Sequence, residues 1–548
     1  MALRALGLYL ALAFLLFGVP VAAHPGREII GTGGDPQIFV WSLAWWPHAI
    51  LHWQNPVVTH AVWPPVGLDL AWVSSIPGLA LVLSPVTLAA DPVVAYNVAS
   101  VLMPALAAWT AFLLCRHVTR SLWPSLAGGY AFGFSSYMLG QLEGHLHMSS
   151  VFLLPLVALV VLQYVEGRIG GRALALRLGV LLAGQILLST EVALTLTLAL
   201  AFALVAAFVL VPAARARLRS IGPPLLGGYA LGAVLTSPFL AYALLHFQHG
   251  SINDPALFPG DLLNVVVPTR LAGIRYAQHV ASTFAGNTAE NGAYLGVPLL
   301  AVVAWYAWLR RHRAGARLLV VCFLAGIVAE LGAYLHVEGR AHQRLPWYFV
   351  YRLPALNNVL PVRFSLYVAL CAALALALWA SSELVPRVVR IAVSVLALAA
   401  IAPDVWSSAW HENPDRPRFF SAGLYRRCLA PGETVLSLPY PAWNYAELWQ
   451  AESGFRFRLA QASLDPVPPH GAPDLATVEA LISNVPPSGG AADIVRLARD
   501  QGATTIVLDR RRPAPWRALL AHSGLRPRTV GGVDLYRTDG TLAACRSA

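Results

Sequence analysis

Asp35 is the carboxylate whose position in the sequence best suits catalysis. It lies in the segment Gly31-Thr-Gly-Gly-Asp-Pro36, soon after the first apolar stretch of the chain. A carboxylate held in a fixed place acts as a general base, because it takes the proton from a hydroxyl group as that group attacks. The alternative is a helix N-cap, since Asp before Pro36 is a favourable helix start, and the two roles are compatible. We predict that Asp35 is catalytic.

Further candidates lie in the segment Glu143-Gly-His145-Leu-His147 and at Glu290. Alternate residues of an extended segment project to the same side. Glu143, His145 and His147 could therefore flank a substrate acceptor or bind a divalent cation. The alternative is that the histidines are ordinary hydrogen-bonded polar groups, and that Glu290 is the polar start of a helix. We predict that Glu143 and Glu290 are catalytic and that His145 and His147 lie beside the acceptor or a metal. No cofactor is certain.

A group of arginines between the apolar stretches is suited to binding a phosphate. Guanidinium groups bind phosphate oxygens in a bidentate manner, which balances the charge of a departing phosphate. The alternative is nonspecific contact with anionic lipid headgroups. We predict a phosphate-binding role for five of them: Arg275, Arg340, Arg344, Arg352 and Arg363.

Membrane helices must position these residues. Of the 548 residues, 57% are hydrophobic and only 12% are charged, which is typical of a polytopic membrane protein. Crossing a hydrocarbon layer of ~30 Å takes about 20 apolar residues. We predict eleven spans: 4–22, 93–115, 122–140, 150–166, 173–190, 192–213, 222–244, 291–310, 317–336, 363–381 and 388–405.

Arginine placement gives the orientation of these spans. With the start of the chain inside and Ser74–Ala90 treated as non-spanning, most arginines of the apolar region fall in short inner loops, as the positive-inside rule requires. Counting Ser74–Ala90 as a span would put most of them outside. The first outer loop then covers residues 24–92. The first span also resembles a signal peptide that could be cleaved after Ala23, and residue 24 onward begins outside in either case.

The same orientation collects carboxylates on the outer side, among them Asp35, Glu143 and Glu290. Acidic residues contribute little to membrane topology, so this asymmetry indicates a polar cavity open to the outer side. The formal charge of +11 comes from arginine, because the sequence contains no lysine. No basic run is long or aromatic enough for a polynucleotide groove, so we expect no nucleic-acid partner.

A separate domain follows the apolar region, which we assign to residues 1–404. Residues 405–548 are polar, and we predict a soluble extracytoplasmic α/β domain there. Three segments indicate strands and one indicates an amphipathic helix: Glu433–Tyr440, Thr504–Asp509, Val533–Arg537 and the helix Ala491–Gln501. Cys428 and Cys545 lie in this domain, and an oxidising compartment allows them to pair if the fold brings them together.

The layout resembles the GT-C superfamily of polytopic membrane glycosyltransferases. The matching elements are Gly34-Asp35 in the first outer loop, the tryptophan-rich segment Gln37–Trp53, the second outer loop with Glu143, and the polar C-terminal domain. The resemblance implies a catalytic Asp35 and a lipid-linked sugar donor. Some members bind a metal through two acids in the second outer loop. Here His145 stands at the second position, which puts use of a metal in doubt.

The resemblance predicts an inverting glycosyltransferase of the bacterial cytoplasmic membrane. It would move a hexosyl or pentosyl group from a polyprenyl-phosphate donor to an extracytoplasmic glycan, lipid or protein of the cell envelope. An oligosaccharyltransferase is one subclass, although its acceptor-binding WWD-type motif is absent from the C-terminal segment. The alternatives are a transporter or flippase of a lipid-linked glycan and a noncatalytic membrane partner.

Overall fold

The computed structural model describes residues 1–246, 258–354 and 356–545. The chain forms two compact units, and each unit combines segments that are distant in the sequence. The first unit consists of Met1–Ala23, Val98–Ser237 and His249–His411. The second unit consists of His24–Asn97, Pro238–Gln248 and Glu412–Ala548. The second unit therefore joins the predicted first outer loop to the C-terminal segment.

Long apolar helices make the chain a multi-pass membrane protein. Six helical stretches among the described residues are long and apolar enough to cross a membrane: Ala2–Val21, Pro92–Thr119, Leu146–Val165, Gly171–Leu188, Thr190–Leu210 and Pro361–Ala380. The bent pair Gly222–Leu235 and Ser237–Leu245 would add a seventh if it counts as one span.

The predicted count of eleven spans is not confirmed. Every predicted stretch contains a helix, but several helices are short, such as Gly296–Leu309 and Arg387–Ala400 with 14 residues each. At about 1.5 Å per residue a helix of this length covers ~21 Å, which is less than the ~30 Å hydrocarbon layer. The stretch predicted as non-spanning forms two short helices, Pro77–Val82 and Ser84–Ala89, and neither qualifies as a span.

The other helices of the first unit pack with these spans or connect them. They are Leu122–Gly133, Ser136–Gln141, Arg215–Arg219, Gln278–Ala281 and Ala314–Glu330. Small residues allow close helix packing: a Cβ added at Gly128 would lie 3.0 Å from the carbonyl oxygen of Ala373. An antiparallel hairpin, Tyr334–Val337 with Arg340–Arg344, precedes the span that begins at Pro361.

The second unit contains a five-stranded mixed sheet. The strand order is Arg458–Leu459, Thr434–Leu438, Thr505–Asp509, Val533–Arg537 and Pro527–Val530. The first three are parallel and the last two are antiparallel to their neighbours. All five residues of Thr505–Asp509 are buried, as expected for a central strand. The three predicted strands and the predicted helix are present within two residues of their predicted ends.

Short helices precede the strands of this sheet or connect them. They are Arg418–Ser421, Tyr425–Cys428, Ala446–Glu452, Leu475–Ile482, Ala491–Asp500 and Trp516–Ala521. Cys428 and Cys545, whose pairing the sequence left open, form a disulfide. Part of the predicted first outer loop also joins this unit as the helix Asp35–Leu51 and the two-residue strands Val58–Thr59 and Leu68–Asp69.

Tryptophans of the helix Asp35–Leu51 form part of the core of the second unit. The indole N–H of Trp41 donates to Gln450 at 2.7 Å, that of Trp45 to the Pro56 carbonyl at 3.0 Å, and that of Trp46 to the Ser75 carbonyl at 3.0 Å. All three side chains are buried, whereas Trp53 is 94% exposed. Only the end of this tryptophan-rich segment is therefore available to act as an interfacial anchor.

Candidate active site

Asp35 is the first residue of the helix Asp35–Leu51 and is exposed. Gly34 is the N-cap residue, so the expectation that Asp35 itself caps the helix is wrong. Pro36 follows in the first turn, where its missing N–H has no intrahelical partner to lose. The carboxylate in the first turn also interacts favourably with the positive end of the helix dipole. The sequence thus fixes Asp35 at a rigid helix start while leaving it exposed to solvent.

The glycines before Asp35 let the main chain approach the C-terminal segment. Gly33 has φ 89°, in the left-handed region that favours glycine, and its N–H donates to the Glu412 carboxylate at 2.8 Å. A Cβ at Gly34 would lie 3.1 Å from the carbonyl oxygen of Ala442. Ile29 and Glu412 also exchange main-chain hydrogen bonds, of 2.8 and 2.9 Å. The segment leading to Asp35 is therefore bound along its length.

Gln37 ties the first turn of the same helix to the loop that follows strand Thr434–Leu438. Its side-chain amide donates to the carbonyl oxygens of Pro441 at 3.0 Å and Asn444 at 2.9 Å. The side chain is fully buried. Asn444 is itself fixed, because its amide donates to the Pro439 carbonyl at 2.8 Å. A buried amide with two donor bonds holds the helix start against this loop, which we call the 439–445 loop.

A polar network continues from Glu412 along this edge of the sheet. The Tyr445 hydroxyl donates to Glu412, and the Arg512 guanidinium lies 5.6 Å from the centre of the Tyr445 ring. Arg512 also donates to the carbonyl oxygen of Trp443. Arg512 follows strand Thr505–Asp509, so loops after two neighbouring parallel strands meet beside the segment that carries Asp35.

In the first unit, Arg363 pairs with two carboxylates. Its guanidinium binds both oxygens of Glu290, with an Nε to Oε2 distance of 3.0 Å, and it also donates to Glu191. Arg363 and Glu290 are buried. Burial alone would raise the pKa of Glu290, but the Arg363 charge and its hydrogen bonds outweigh that effect and lower the pKa below its ordinary value. Glu290 is therefore held as a carboxylate.

His145 joins this cluster from the predicted second outer loop. Its Nδ1 lies 3.5 Å from Glu290 and 2.9 Å from the side-chain oxygen of Gln141. His147 is two residues further on, in the first turn of a span, and its ring centre is 6.2 Å from that of His145. Within the described residues no three His, Cys, Asp or Glu side chains are grouped to hold a metal ion.

Glu143 has a different partner from Glu290. The guanidinium of Arg270 donates to its carboxylate at 3.2 Å, and this arginine side chain is 60% exposed. Burial raises the pKa of Glu143, while the Arg270 charge opposes that rise. Glu143 is thus a buried acid whose charge is balanced from the exposed side.

The five predicted phosphate ligands have different surroundings. Arg363 lies in the buried cluster, and Arg275 pairs with Asp404. Arg340 and Arg344 lie on an exposed strand, and the Arg344 guanidinium stands 4.4 Å from the centre of the Tyr348 ring. Arg352 donates to the Tyr351 hydroxyl at 2.9 Å. The three arginines of residues 340–352 thus make no ion pair within the described residues.

A family model described as a domain of unknown function, DUF6311, matches residues 6–402 of the chain. The chain belongs to the DUF6311 family. No curated protein sequence matches it.

Solved structures with the same fold are membrane glycosyltransferases of the GT-C superfamily, so the predicted resemblance is confirmed. The mycobacterial arabinofuranosyltransferase AftD superposes with a TM-score of 0.59 at 16% identity, over 98% of this DUF6311 chain and 41% of AftD. The chain therefore spans about two fifths of AftD. ArnT from Cupriavidus metallidurans gives a TM-score of 0.52 at 12% identity and 98% coverage of both chains.

The oligosaccharyltransferase AglB from Archaeoglobus fulgidus, in complex with an inhibitory peptide and a dolichol-phosphate, gives a TM-score of 0.51 at 12% identity. The superposition covers 98% of the DUF6311 chain and 74% of AglB. Identities this low establish a common fold and leave the substrates of this DUF6311 protein to be proposed.

Sequence reasoning missed several residues that organise both sites of this DUF6311 protein. From the sequence, Glu191 is expected at the tip of a tight turn between two apolar stretches. Arg270 is not one of the five predicted phosphate-binding arginines. Gln37 and Glu412 have no motif. The one signal in the sequence was that Gln37 is a polar residue in an otherwise apolar helix face, because such a residue needs a hydrogen-bonding partner when buried.

Proposed function

We propose that this protein is an inverting glycosyltransferase with Asp35 as its general base. The observation that carries the proposal is an exposed carboxylate on a helix start that is hydrogen-bonded on both sides, at Gly33 and at Gln37. General bases work when they are held within reach of the proton they remove. The GT-C fold supports the reaction class, since the three superposed structures belong to membrane glycosyltransferases.

In the proposed reaction, Asp35 accepts the proton of the acceptor hydroxyl as the hydroxyl oxygen attacks the anomeric carbon of the donor sugar. A new bond forms between that oxygen and carbon, and the bond from the anomeric carbon to the lipid phosphate oxygen breaks. The electron pair leaves with the phosphate. Attack and departure take place on opposite faces, so the configuration at the anomeric carbon inverts. Proton transfer of this kind contributes ~10²- to 10⁴-fold to the rate.

The donor in this proposal is a polyprenyl-phosphate sugar. Support comes from the dolichol-phosphate in the AglB complex, because it is a lipid phosphate bound by a protein of the same fold. Arg340, Arg344 and Arg352 supply exposed guanidinium groups for such a phosphate. We assign Arg363 to holding Glu290 ionised rather than to binding the donor phosphate, since its charge is already balanced by Glu290 and Glu191. Arg275 remains a proposed phosphate ligand, but we expect it to contribute less than the three exposed arginines because it is paired with Asp404.

The acids of the first unit support the reaction in this proposal. Glu290, held ionised by Arg363, fixes His145 beside the second outer loop. His145 and His147 then contribute hydrogen bonds to the substrate, with no step that requires a metal. Glu143 keeps its catalytic assignment as an acid whose charge Arg270 balances. The protein would lie in the bacterial cytoplasmic membrane with Asp35 on the outer side, where the cell-envelope acceptor is found.

A transfer assay with stereochemical readout tests the proposal. Membranes containing the wild-type protein are incubated with a radiolabelled polyprenyl-phosphate sugar and an envelope extract, and the anomeric configuration of the product is determined by NMR. Transfer with inversion is the expected result. Transfer with retention would refute the proposed mechanism. Movement of the labelled donor across vesicles without any transfer would favour a flippase instead.

A further inference from the structure

The C-terminal sheet has the strand order that creates a ligand-binding crevice. After strand Thr434–Leu438 the chain continues to Arg458–Leu459 on one side and later returns to Thr505–Asp509 on the other side. In open sheets with parallel strands, ligands bind outside the carboxyl ends of the strands where the order reverses in this way. In this unit that place is formed by the 439–445 loop and by residues 510–512.

This edge of the sheet is also where the segment carrying Asp35 is bound. Gly34, next to Asp35, packs against the carbonyl group of Ala442, and Trp443 is the next residue of that loop. Gln37 binds the same loop on both sides of Trp443, through the carbonyl groups of Pro441 and Asn444. A ligand at the switch point of this sheet would therefore lie beside the exposed carboxylate of Asp35.

Trp443 presents a fixed aromatic surface at this place. Its indole N–H donates to the Ile482 carbonyl at 2.7 Å, and its main-chain N–H donates to the Tyr440 carbonyl at 2.7 Å. Arg512 donates to its carbonyl oxygen. The side chain is nevertheless 44% exposed. A ring that is hydrogen-bonded at its edge and open to solvent has lost its conformational freedom before any ligand arrives, which favours binding.

Charged groups of both signs lie next to Arg512, which donates to the Trp443 carbonyl. Arg511 pairs with Asp415, and a terminal nitrogen of Arg512 lies 3.8 Å from the same carboxylate. These side chains are 54%, 33% and 42% exposed for Arg511, Asp415 and Arg512. Hydroxyl groups both donate and accept hydrogen bonds, so a polyol matches guanidinium donors and carboxylate acceptors together. The C–H face of a sugar ring packs against an aromatic ring.

We propose that Trp443, together with Arg511, Arg512 and Asp415, binds a sugar residue of the acceptor and brings its hydroxyl group to Asp35. This inference rests on the proposed function, because it names the acceptor of the same reaction as a glycan. The aromatic ring supplies the contact area, and the ion-paired groups supply directional hydrogen bonds. A purely anionic ligand is disfavoured, because Asp415 and Glu412 offset the arginines.

Direct binding tests the inference without relying on activity. The full-length protein is placed in lipid nanodiscs without glycoside detergents, and saturation-transfer NMR is recorded with methyl glycosides of pentofuranoses and hexopyranoses. At least one glycoside should receive saturation from the wild type and from Asp35→Asn. Trp443→Ala should reduce that signal at least tenfold, and Trp443→Phe should retain most of it. Trp53→Ala removes another exposed tryptophan of the same unit and should change nothing.

Two results would overturn the inference. One is that no methyl glycoside receives saturation from the wild type. The other is that Trp443→Ala gives the wild-type signal. In the transfer assay, Trp443→Ala should raise the acceptor KM about tenfold or more with the donor KM unchanged. If the wild type transfers sugar and Trp443→Ala has the same acceptor KM as the wild type, the acceptor site is refuted and the proposed function is not. If the wild type transfers no sugar, the proposed function is refuted.

Discussion

The side-chain amide of Gln37 donates a hydrogen bond to the carbonyl oxygen of Asn444 at 2.9 Å, across 407 residues of sequence. A second bond from the same amide reaches Pro441. The two bonds join the helix that begins at Asp35 to the C-terminal sheet within one compact unit. The position of the proposed catalytic carboxylate is therefore set by the last third of the chain as well as by its own loop.

Replacing Gln37 should weaken both the fold and the reaction. Gln37→Met keeps the side-chain length but removes the Gln37 donor from the buried Asn444 carbonyl, and an unsatisfied buried group costs ~1–3 kcal/mol. The Pro441 carbonyl loses one of its two donors and keeps the main-chain N–H of Asn444. The expected result is a lower unfolding temperature and transfer reduced about tenfold or more through kcat. Gln54→Met, an exposed position beyond the end of the same helix, is the matched control. If Gln37→Met has wild-type kcat and stability, the hydrogen bonds from Gln37 to Pro441 and Asn444 do not position Asp35.

Removing Arg363 should destabilise the first unit. Arg363→Met leaves the buried Glu290 and the half-buried Glu191 without their counter-charge, and breaking one side of a buried ion pair costs about 3–5 kcal/mol. Adding Glu191→Gln and Glu290→Gln to the same chain should recover much of the stability, because the uncompensated charges are removed. Thermal unfolding in nanodiscs measures both effects.

Arg340→Met, on an exposed strand, is the control for Arg363→Met and should leave unfolding unchanged. If the triple variant is less stable than Arg363→Met alone, the carboxylates stabilise the unit by some means other than their pairing with Arg363.

The stability of the second unit should fall as pH rises from about 4.5 to 7. Burial raises the pKa of Glu447 from 4.5 to about 7, while hydrogen bonds from Ser463 oppose the rise. The folded state then binds more protons than the unfolded state across this interval, so its stability decreases with increasing pH. Burial likewise raises the pKa of Asp465 to about 6, which adds to the slope at the acidic end.

Glu447→Gln should make the decrease in unfolding free energy with pH smaller, because the amide does not titrate. The difference corresponds to the uptake of about one proton by Glu447 on folding. Unfolding temperatures measured between pH 5 and 7 for wild type and variant decide the matter. Parallel curves for the two proteins would mean that Glu447 has an ordinary pKa.

The disulfide between Cys428 and Cys545 should stabilise the second unit. It closes a loop of 117 residues, and disulfides typically contribute about 2–4 kcal/mol. A reductant should therefore lower the unfolding temperature of the wild type and have no further effect on Cys428→Ser. Equal unfolding temperatures for the reduced and oxidised wild type would contradict this expectation.

Local patterns predicted the elements of the fold well. Apolar stretches marked each of the six candidate spans among the described residues, and the β-branched run Thr504-Thr-Ile-Val507 marked a buried strand. Pro36 marked the start of the Asp35 helix. The count of eleven spans is not confirmed, because several apolar stretches form helices of only 14 residues, such as Gly296–Leu309 and Arg387–Ala400. The stretch 222–244 is also bent at Thr236 between two helices.

The partners of the site residues were beyond the reach of local patterns. Arg363 binds carboxylates that lie 73 and 172 residues away, and Gly33 binds Glu412 at a separation of 379 residues. Hydrogen bonds of this kind depend on how helices and loops pack after they form. The spacing of residues along the sequence does not predict that packing. The sequence placed Arg363 at the start of an apolar stretch, and it lies at the start of the span Pro361–Ala380, but the sequence gave no sign that its charge is already balanced.

The rate of sugar transfer by Asp35→Asn tests the central claim most directly. The amide keeps the shape of the side chain but accepts no proton, so the account predicts a single-turnover rate ~10²- to 10⁴-fold below wild type. Donor binding and expression should be unchanged, and Asp500→Asn, at another exposed aspartate of the same unit, should transfer at the wild-type rate. A wild-type rate for Asp35→Asn would contradict the assignment of Asp35 as the general base.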